Sequence, residues 1–189
     1  MKKLNLKQII KPTLCLFTIC LLITLLLAAT NNLTSQKILQ QAVKKQEDSC
    51  KLVFENAHSF QEETYADITY FKALDNDNNT LGYVLTTKSN GYGGEIKVMT
   101  GIDNNKNVTG VVILSQNETP GLGSNAEKES FRSQFKQSIP NNGFNVVKST
   151  PSGSEIEALT GATITSKAVT KAVNLAVEDF YKISQKEHS

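Results

Sequence analysis

Residues Leu159 to Phe180 read LTGATITSKAVTKAVNLAVEDF, joining a loop of small and hydroxylated residues to one amphipathic helix. Val169, Ala172, Val173, Ala176, Val177 and Phe180 fall at i, i+3, i+4, i+7, i+8 and i+11, which is the spacing of one apolar, core-facing helical stripe. Thr163, Thr165 and Ser166 sit at the entrance of that helix, where the first backbone N–H groups lack intrahelical partners and a hydroxyl or an anion is favoured. On these residues alone the junction reads either as an ordinary helix cap or as a phosphate site. Gly161 and Ala162 strip bulk from the approach to Thr163, so a large group or another enzyme can reach its hydroxyl.

Around this helix, 189 residues with 39% hydrophobic content allow one folded domain with a core, plus an appendage. The formal charge of +2 is uneven: Lys2, Lys3, Lys7 and Lys11 hold four of the 20 basic residues, leaving 16 against 18 acidic ones, a balance of −2. That balance gives a nucleic-acid partner no support. Cys15 and Cys20 lie in an apolar run and Cys50 stands alone, so neither a disulfide framework nor a CxxC metal pattern exists. His58 and His188 are the two histidines, too few and too polar in setting for a histidine metal cluster or a triad.

The run Thr13 to Ala29 carries no charge and extends by a few residues to the roughly 20 needed to cross a hydrocarbon layer. An uncleaved anchor is favoured over its rival, a cleaved signal peptide ending near Leu27-Ala28-Ala29, because the run is longer than a usual signal core. The lysines before it place the N-terminus in the cytoplasm and the rest of the chain outside. This gives residues 1–12 as a cytoplasmic basic tail, 13–30 as a transmembrane helix and 31–189 as an extracytoplasmic domain. Ile38, Leu39, Ala42 and Val43 have helical spacing, predicting a short helix capped by Thr34 or Ser35.

Two hairpins come next. Asp67–Leu74 and Leu81–Thr87 bracket the turn Asp75-Asn76-Asp77-Asn78-Asn79, and Ile96–Ile102 and Val108–Leu114 flank Asp103-Asn104-Asn105-Lys106-Asn107. Before the second hairpin, Gly91, Gly93 and Gly94 mean a bulge or sharp turn, or a backbone that lets a flat ligand approach with Tyr92 as its wall. They match neither GxGxxG nor a Walker loop. In ETPGLG, Pro120 fixes φ and Gly121 and Gly123 permit positive φ, predicting a rigid loop before a short helix carrying Phe131 and Phe135, capped by Ser124 or Asn125. Glu118 has no second acid or histidine in its motif with which to act as a general base. Phe144–Lys148 is a weak strand candidate, and Ser184–Ser189 reads as a frayed end.

Taken together and in order, GYGGEIKVMTGID, ETPGLG and LTGATITSKAV resemble the FMN-binding domain family, specifically the G subunit of the Rnf (Rsx) ion-translocating electron-transport complex. More distantly the chain is similar to the C subunit of the Na⁺-translocating NADH:quinone reductase. The resemblance implies FMN held covalently as a phosphoester on Thr163, in the motif Thr160-Gly161-Ala162-Thr163, attached by a separate flavin transferase with FAD as donor. Glu157 stands where the motif usually opens with Asp. The resemblance further implies Glu118, Thr119 and Leu122 as ring contacts, with Tyr92 and Gly93 as a wall. Lys167 is either a phosphate partner or, the commoner fate, a solvent-exposed lysine. The implied role is an electron-relay subunit beside the other subunits of a complex coupling ferredoxin/NAD electron transfer to H⁺ or Na⁺ movement, with no stand-alone catalysis.

The expected fold is α+β: a small antiparallel or mixed sheet packed by helices, preceded by one transmembrane helix. A membrane-anchored adhesion or cell-wall-binding module is the alternative. It accounts for the anchor and a surface rich in Asn, Ser and Thr, but not for LTGAT beside ETPGLG.

Overall fold

The computed structural model describes residues 6–187; His188, Lys2 and Lys3 lie outside them. The chain forms two units, residues 1–45 and 46–189. Helix α1 (Leu6–Val53) starts in the first and ends in the second, and within the first it contains an apolar segment, Ile10–Asn31, of 22 residues with mean hydropathy 2.5, long enough to cross a membrane. Hydroxyls inside this segment are satisfied locally: Thr24 donates to the Cys20 carbonyl at 2.7 Å and Thr30 to Leu26 at 2.8 Å. The separate helix expected after the membrane segment is absent, because α1 runs on to Val53. No glycine or proline interrupts residues 13–53, and good helix formers fill 36–46, so Thr34 and Ser35 start nothing.

The second unit is built on an antiparallel meander, β1 (Ser59–Tyr65), β2 (Ile68–Leu74), β3 (Thr80–Asn90), β4 (Glu95–Asp103) and β5 (Val108–Ser115), with strands side by side in chain order. Alternation sorts its side chains. Tyr83, Leu85, Ile96, Val98 and Ile102 join the core beneath helix α3 (Thr163–Glu187), while Val84, Met99 and Ala73 face Cys50, Val53 and Phe54 at the end of α1. All six predicted stripe residues of α3 are buried. Two further contacts pin this helix. Thr87 donates its hydroxyl to the Ala172 carbonyl at 2.7 Å, and the Asn174 amide clasps the backbone of Phe144 at 2.9 and 3.0 Å.

Strand β1 was not expected. It pairs with β2 through a two-residue turn whose Ala66 and Asp67 both have positive φ, 45° and 66°, so Asp67 belongs to the turn and not to the strand. The two predicted polar turns share one clasp. Asp75 accepts the Asn79 backbone N–H at 2.8 Å and its side-chain amide at 3.0 Å, and Asp103 does the same for Asn107 at the same distances. The helix expected at Phe131 and Phe135 shrinks to α2 (Glu129–Arg132) between 3₁₀ turns, Gly123–Glu127 and Ser133–Phe135. Ser124 and Asn125 do not cap it: Ser124 Oγ accepts the Gly121 N–H at 2.9 Å, and the Asn125 amide donates to the Gly121 carbonyl at 2.7 Å. The weak strand becomes β6 (Asn145–Val147), paired in parallel with an unexpected β7 (Glu155–Glu157). Helix order continues to Glu187, through most of the end expected to fray.

Candidate functional site

Three short turns meet at the start of α3. The first joins β3 to β4, where the Gly91 N–H donates to the Gly94 carbonyl at 2.7 Å. In the second, Thr119-Pro120-Gly121-Leu122, the Leu122 N–H reaches the Thr119 carbonyl at 3.1 Å and Gly121 has φ 77°. A positive-φ glycine at the third position is what a type II turn requires, and proline is common at the second. Leu159-Thr160-Gly161-Ala162 repeats the pattern, with the Ala162 N–H on the Leu159 carbonyl at 2.9 Å and Gly161 at φ 75°. The two turns approach closely: a Cβ added at Gly161 would lie 3.1 Å from Leu122 Cδ2.

Between them lies a cleft of about 510 Å³, lined by Tyr92, Glu118, Thr119, Leu122, Gly123, Gly161, Ala162, Thr163, Ile164 and Thr165. Of the nine residues singled out in the sequence, seven line it. Gly93 joins it indirectly, by donating its N–H to Glu118 Oε1 at 2.9 Å, and Thr160 is exposed just before it. Gly123 and Ile164 were not among those singled out, and Thr165 was read only as a hydroxyl at the helix entrance. Ile164 is an apolar residue off the core-facing stripe, and that out-of-phase position was the available signal.

The hydroxyls of the junction have separate tasks. Thr165 is buried and donates to Glu118 Oε2 at 2.5 Å. Ser166 is buried too, accepting the Leu159 N–H at 2.9 Å and donating to the Ala162 carbonyl at 3.0 Å. Thr163 is the first residue of α3, half-buried, and lines the cleft with a hydroxyl that makes no hydrogen bond among the described residues. The Ser166 N–H already bonds the Ala162 carbonyl at 3.0 Å, so the N–H groups of Thr163, Ile164 and Thr165 stand ahead of the helical ladder. Lys167 is exposed and faces a neighbouring hollow of about 430 Å³ with Lys88 and Lys171, not the cleft.

The donor set fits a flavin nucleotide. Large exposed apolar side chains are scarce in the second unit, yet Tyr92 (72% exposed), Ile164 (56%) and Leu122 (45%) gather at this cleft. Such a patch suits a flat aromatic ring. The helix entrance suits a phosphate. The volume falls within the roughly 300–1,000 Å³ of small-molecule sites.

Comparison with known proteins agrees with this construction. Residues 91–178 match the FMN-binding domain model and residues 1–53 the RnfG N-terminal region. The chain is 40% identical over 159 residues to the G subunit of the proton-translocating ferredoxin:NAD(+) oxidoreductase complex of Clostridium ljungdahlii, covering 84% of each. It is 33% identical to the G subunit of the Na(+)-translocating complex of Acetobacterium woodii, covering 82% of this chain and 76% of that one. Among solved structures, NqrC of Shewanella oneidensis shares the fold, with TM-score 0.50 and 20% identity over 64% of this chain and 65% of that one. The likeness to the G subunits takes the place of the adhesion reading, and with the apolar helix it makes the protein membrane-anchored. The chain belongs to the RnfG family, the G subunits of ion-translocating oxidoreductase complexes, with an RnfG-type N-terminal region followed by an FMN-binding domain.

Proposed function

We infer that this protein is an electron-relay subunit carrying one FMN as a phosphoester on Thr163, within a complex that couples ferredoxin/NAD electron transfer to H⁺ or Na⁺ movement. The observation that carries this reading is the convergence of three sequence-distant turns on a helix-entrance threonine that lines a cleft. Thr165 and Ser166 are engaged elsewhere and Thr160 lies outside the cleft, which supports Thr163 over its neighbours. Bound FMN supplies one- and two-electron redox chemistry that no side chain of the cleft possesses. Leu122, Ile164 and Tyr92 provide apolar packing for its ring, and the first N–H groups of α3 favour its phosphate.

An unassisted threonine hydroxyl is a poor nucleophile, and Glu118 is committed to Gly93 and Thr165. Attachment therefore falls to a separate flavin transferase. The Thr163 oxygen forms a bond to the FMN phosphorus of FAD, the pyrophosphate bond breaks, AMP leaves, and the hydroxyl proton passes to a base of the transferase. The basic residues ahead of the apolar segment support a cytoplasmic N-terminus, with residues 31–189 on the outer side. The match of residues 1–53 to a family region supports an anchor that is retained.

Intact-mass analysis of the full chain, made together with its flavin transferase, tests the reading. The native protein gains the mass of one FMN, and Thr163→Ala gains none. An adduct that survives in Thr163→Ala, or a wild-type chain without one in cells that flavinylate other proteins, refutes it. Copurification of the other complex subunits from gently solubilised membranes tests the assembly.

A further inference from the structure

Glu118 is 6% exposed, and no cation pairs with it among the described residues. Its carboxylate instead accepts the Gly93 N–H at 2.9 Å through Oε1 and the Thr165 hydroxyl at 2.5 Å through Oε2. One side chain thus links three segments: it stands immediately before the second turn, holds the first by its backbone and holds the first turn of α3 by a hydroxyl. The surrounding glycines are shaped to it. A Cβ at Gly91 would come within 2.3 Å of Glu118 Oε1, one at Gly123 within 2.5 Å of Oε2, and one at Gly93 within 2.0 Å of the Asn117 carbonyl oxygen. A buried carboxylate is costly unless hydrogen-bonded, so the two donors and the carboxylate hold one another in place.

We propose that Glu118 and Thr165 are positioning residues for flavin attachment: the buried strut between them aims Thr163 into the cleft before any flavin arrives. Residues two apart on a helix are separated by roughly 200° about its axis. Tying Thr165 to the ETPGLG turn therefore fixes the rotation of the first helical turn, and with it the direction of the Thr163 hydroxyl. The Thr163 hydroxyl itself has no hydrogen bond among the described residues to hold it. This inference rests on Thr163 being the attachment residue.

The test uses the purified full chain in detergent, with FAD and purified flavin transferase, and follows adduct formation by intact mass. Losing a hydrogen bond to a charged group corresponds to about tenfold or more in an equilibrium. Thr165→Val, which removes the donor, and Glu118→Met, which keeps the length but removes both acceptors, are accordingly expected to take up flavin about tenfold more slowly. Thr165→Ser, which keeps the hydroxyl, restores the rate. Amide exchange on the flavin-free protein supplies a second readout: Thr165→Val speeds exchange at Gly93, a residue joined to it through Glu118, and Thr165→Ser does not. Wild-type attachment rates in both Thr165→Val and Glu118→Met overturn the proposal. So does slow attachment in Thr165→Val that serine fails to rescue, or unchanged exchange at Gly93. A wild-type chain without adduct, or an adduct retained in Thr163→Ala, instead defeats the attachment reading itself. The Gly93 exchange result stands apart from that outcome.

Discussion

Replacing Gly123 with alanine tests the packing on which the cleft depends. The new methyl carbon would lie 2.5 Å from Glu118 Oε2, 2.6 Å from Thr165 Oγ1 and 2.8 Å from Glu118 Cβ. The end of a glutamate side chain usually yields cheaply, but this one is held from two sides. The methyl can be admitted by breaking the Thr165–Glu118 bond or by shifting the 3₁₀ turn that Gly123 opens. Overpacking costs about 1–3 kcal/mol, and a lost bond to a charged group about 1.5–3 kcal/mol. Since relieving one incurs the other, the expected loss is ~2–4 kcal/mol, or a fall in Tm of roughly 5–15 °C for a unit of this size. Gly121→Ala is the control, since its methyl meets nothing within 4 Å and pays only for φ 77°, about 1–2 kcal/mol. Chemical unfolding followed by tyrosine fluorescence reports both, as the chain lacks tryptophan. A Gly123→Ala protein less destabilised than Gly121→Ala refutes the reasoning.

Three further outcomes concern buried groups and turns. Thr100 is fully buried and its hydroxyl has no hydrogen-bond partner among the described residues, so Thr100→Val is expected to raise stability by about 1 kcal/mol in urea titrations. Burial, with a smaller push from Glu47, raises the Cys50 thiol to about 11 from 9.0. The folded protein then keeps a proton that the unfolded chain releases, so stability is intact below pH 9 and declines as pH rises toward 11. Cys50→Ala removes that slope, measurable as unfolding midpoints against pH. Asp103→Ala removes both acceptors of the Asn107 clasp and is expected to cost about 1–2 kcal/mol, with faster amide exchange across the β4–β5 hairpin.

How much of this was readable beforehand depends on the range of the interaction. The α3 stripe and the strands around the Asp75 and Asp103 turns were legible because period and turn chemistry are local properties. Strand β1 was not, since SFQEETY is a polar edge strand that pairs on one side only and is joined to β2 by a turn lacking the Asn-Gly signal. Nor was the docking of the α1 end. Gly101 and Gly110 leave room for Val53, whose carbonyl accepts the Thr109 hydroxyl at 2.5 Å, yet these residues are more than 45 positions away. At the site, the motifs named most of the lining, but nothing local tells that Glu118 would meet Thr165. That pairing depends on how the sheet brings the turns to one end, and sequence spacing does not encode it.

The form of the cleft bears on why a covalent bond would be used there. Sites that retain a small molecule by contact alone bury some 70–90% of its surface. Here the walls are turns, and the apolar side chains that would meet the ring are themselves 45–72% exposed. Deepening the walls would improve retention, but it would also bury the ring edge across which electrons must pass to neighbouring subunits. On the proposed reading, the Thr163 ester separates the two demands: the bond prevents loss of the cofactor, and the shallow cleft has only to orient the ring. Orientation then depends on how rigidly the three turns are joined. Among the described residues the Glu118 carboxylate is the one side chain of the cleft that hydrogen-bonds to both the β3–β4 turn and the first turn of α3, a role its solvent-exposed neighbours Tyr92 and Leu122 do not share.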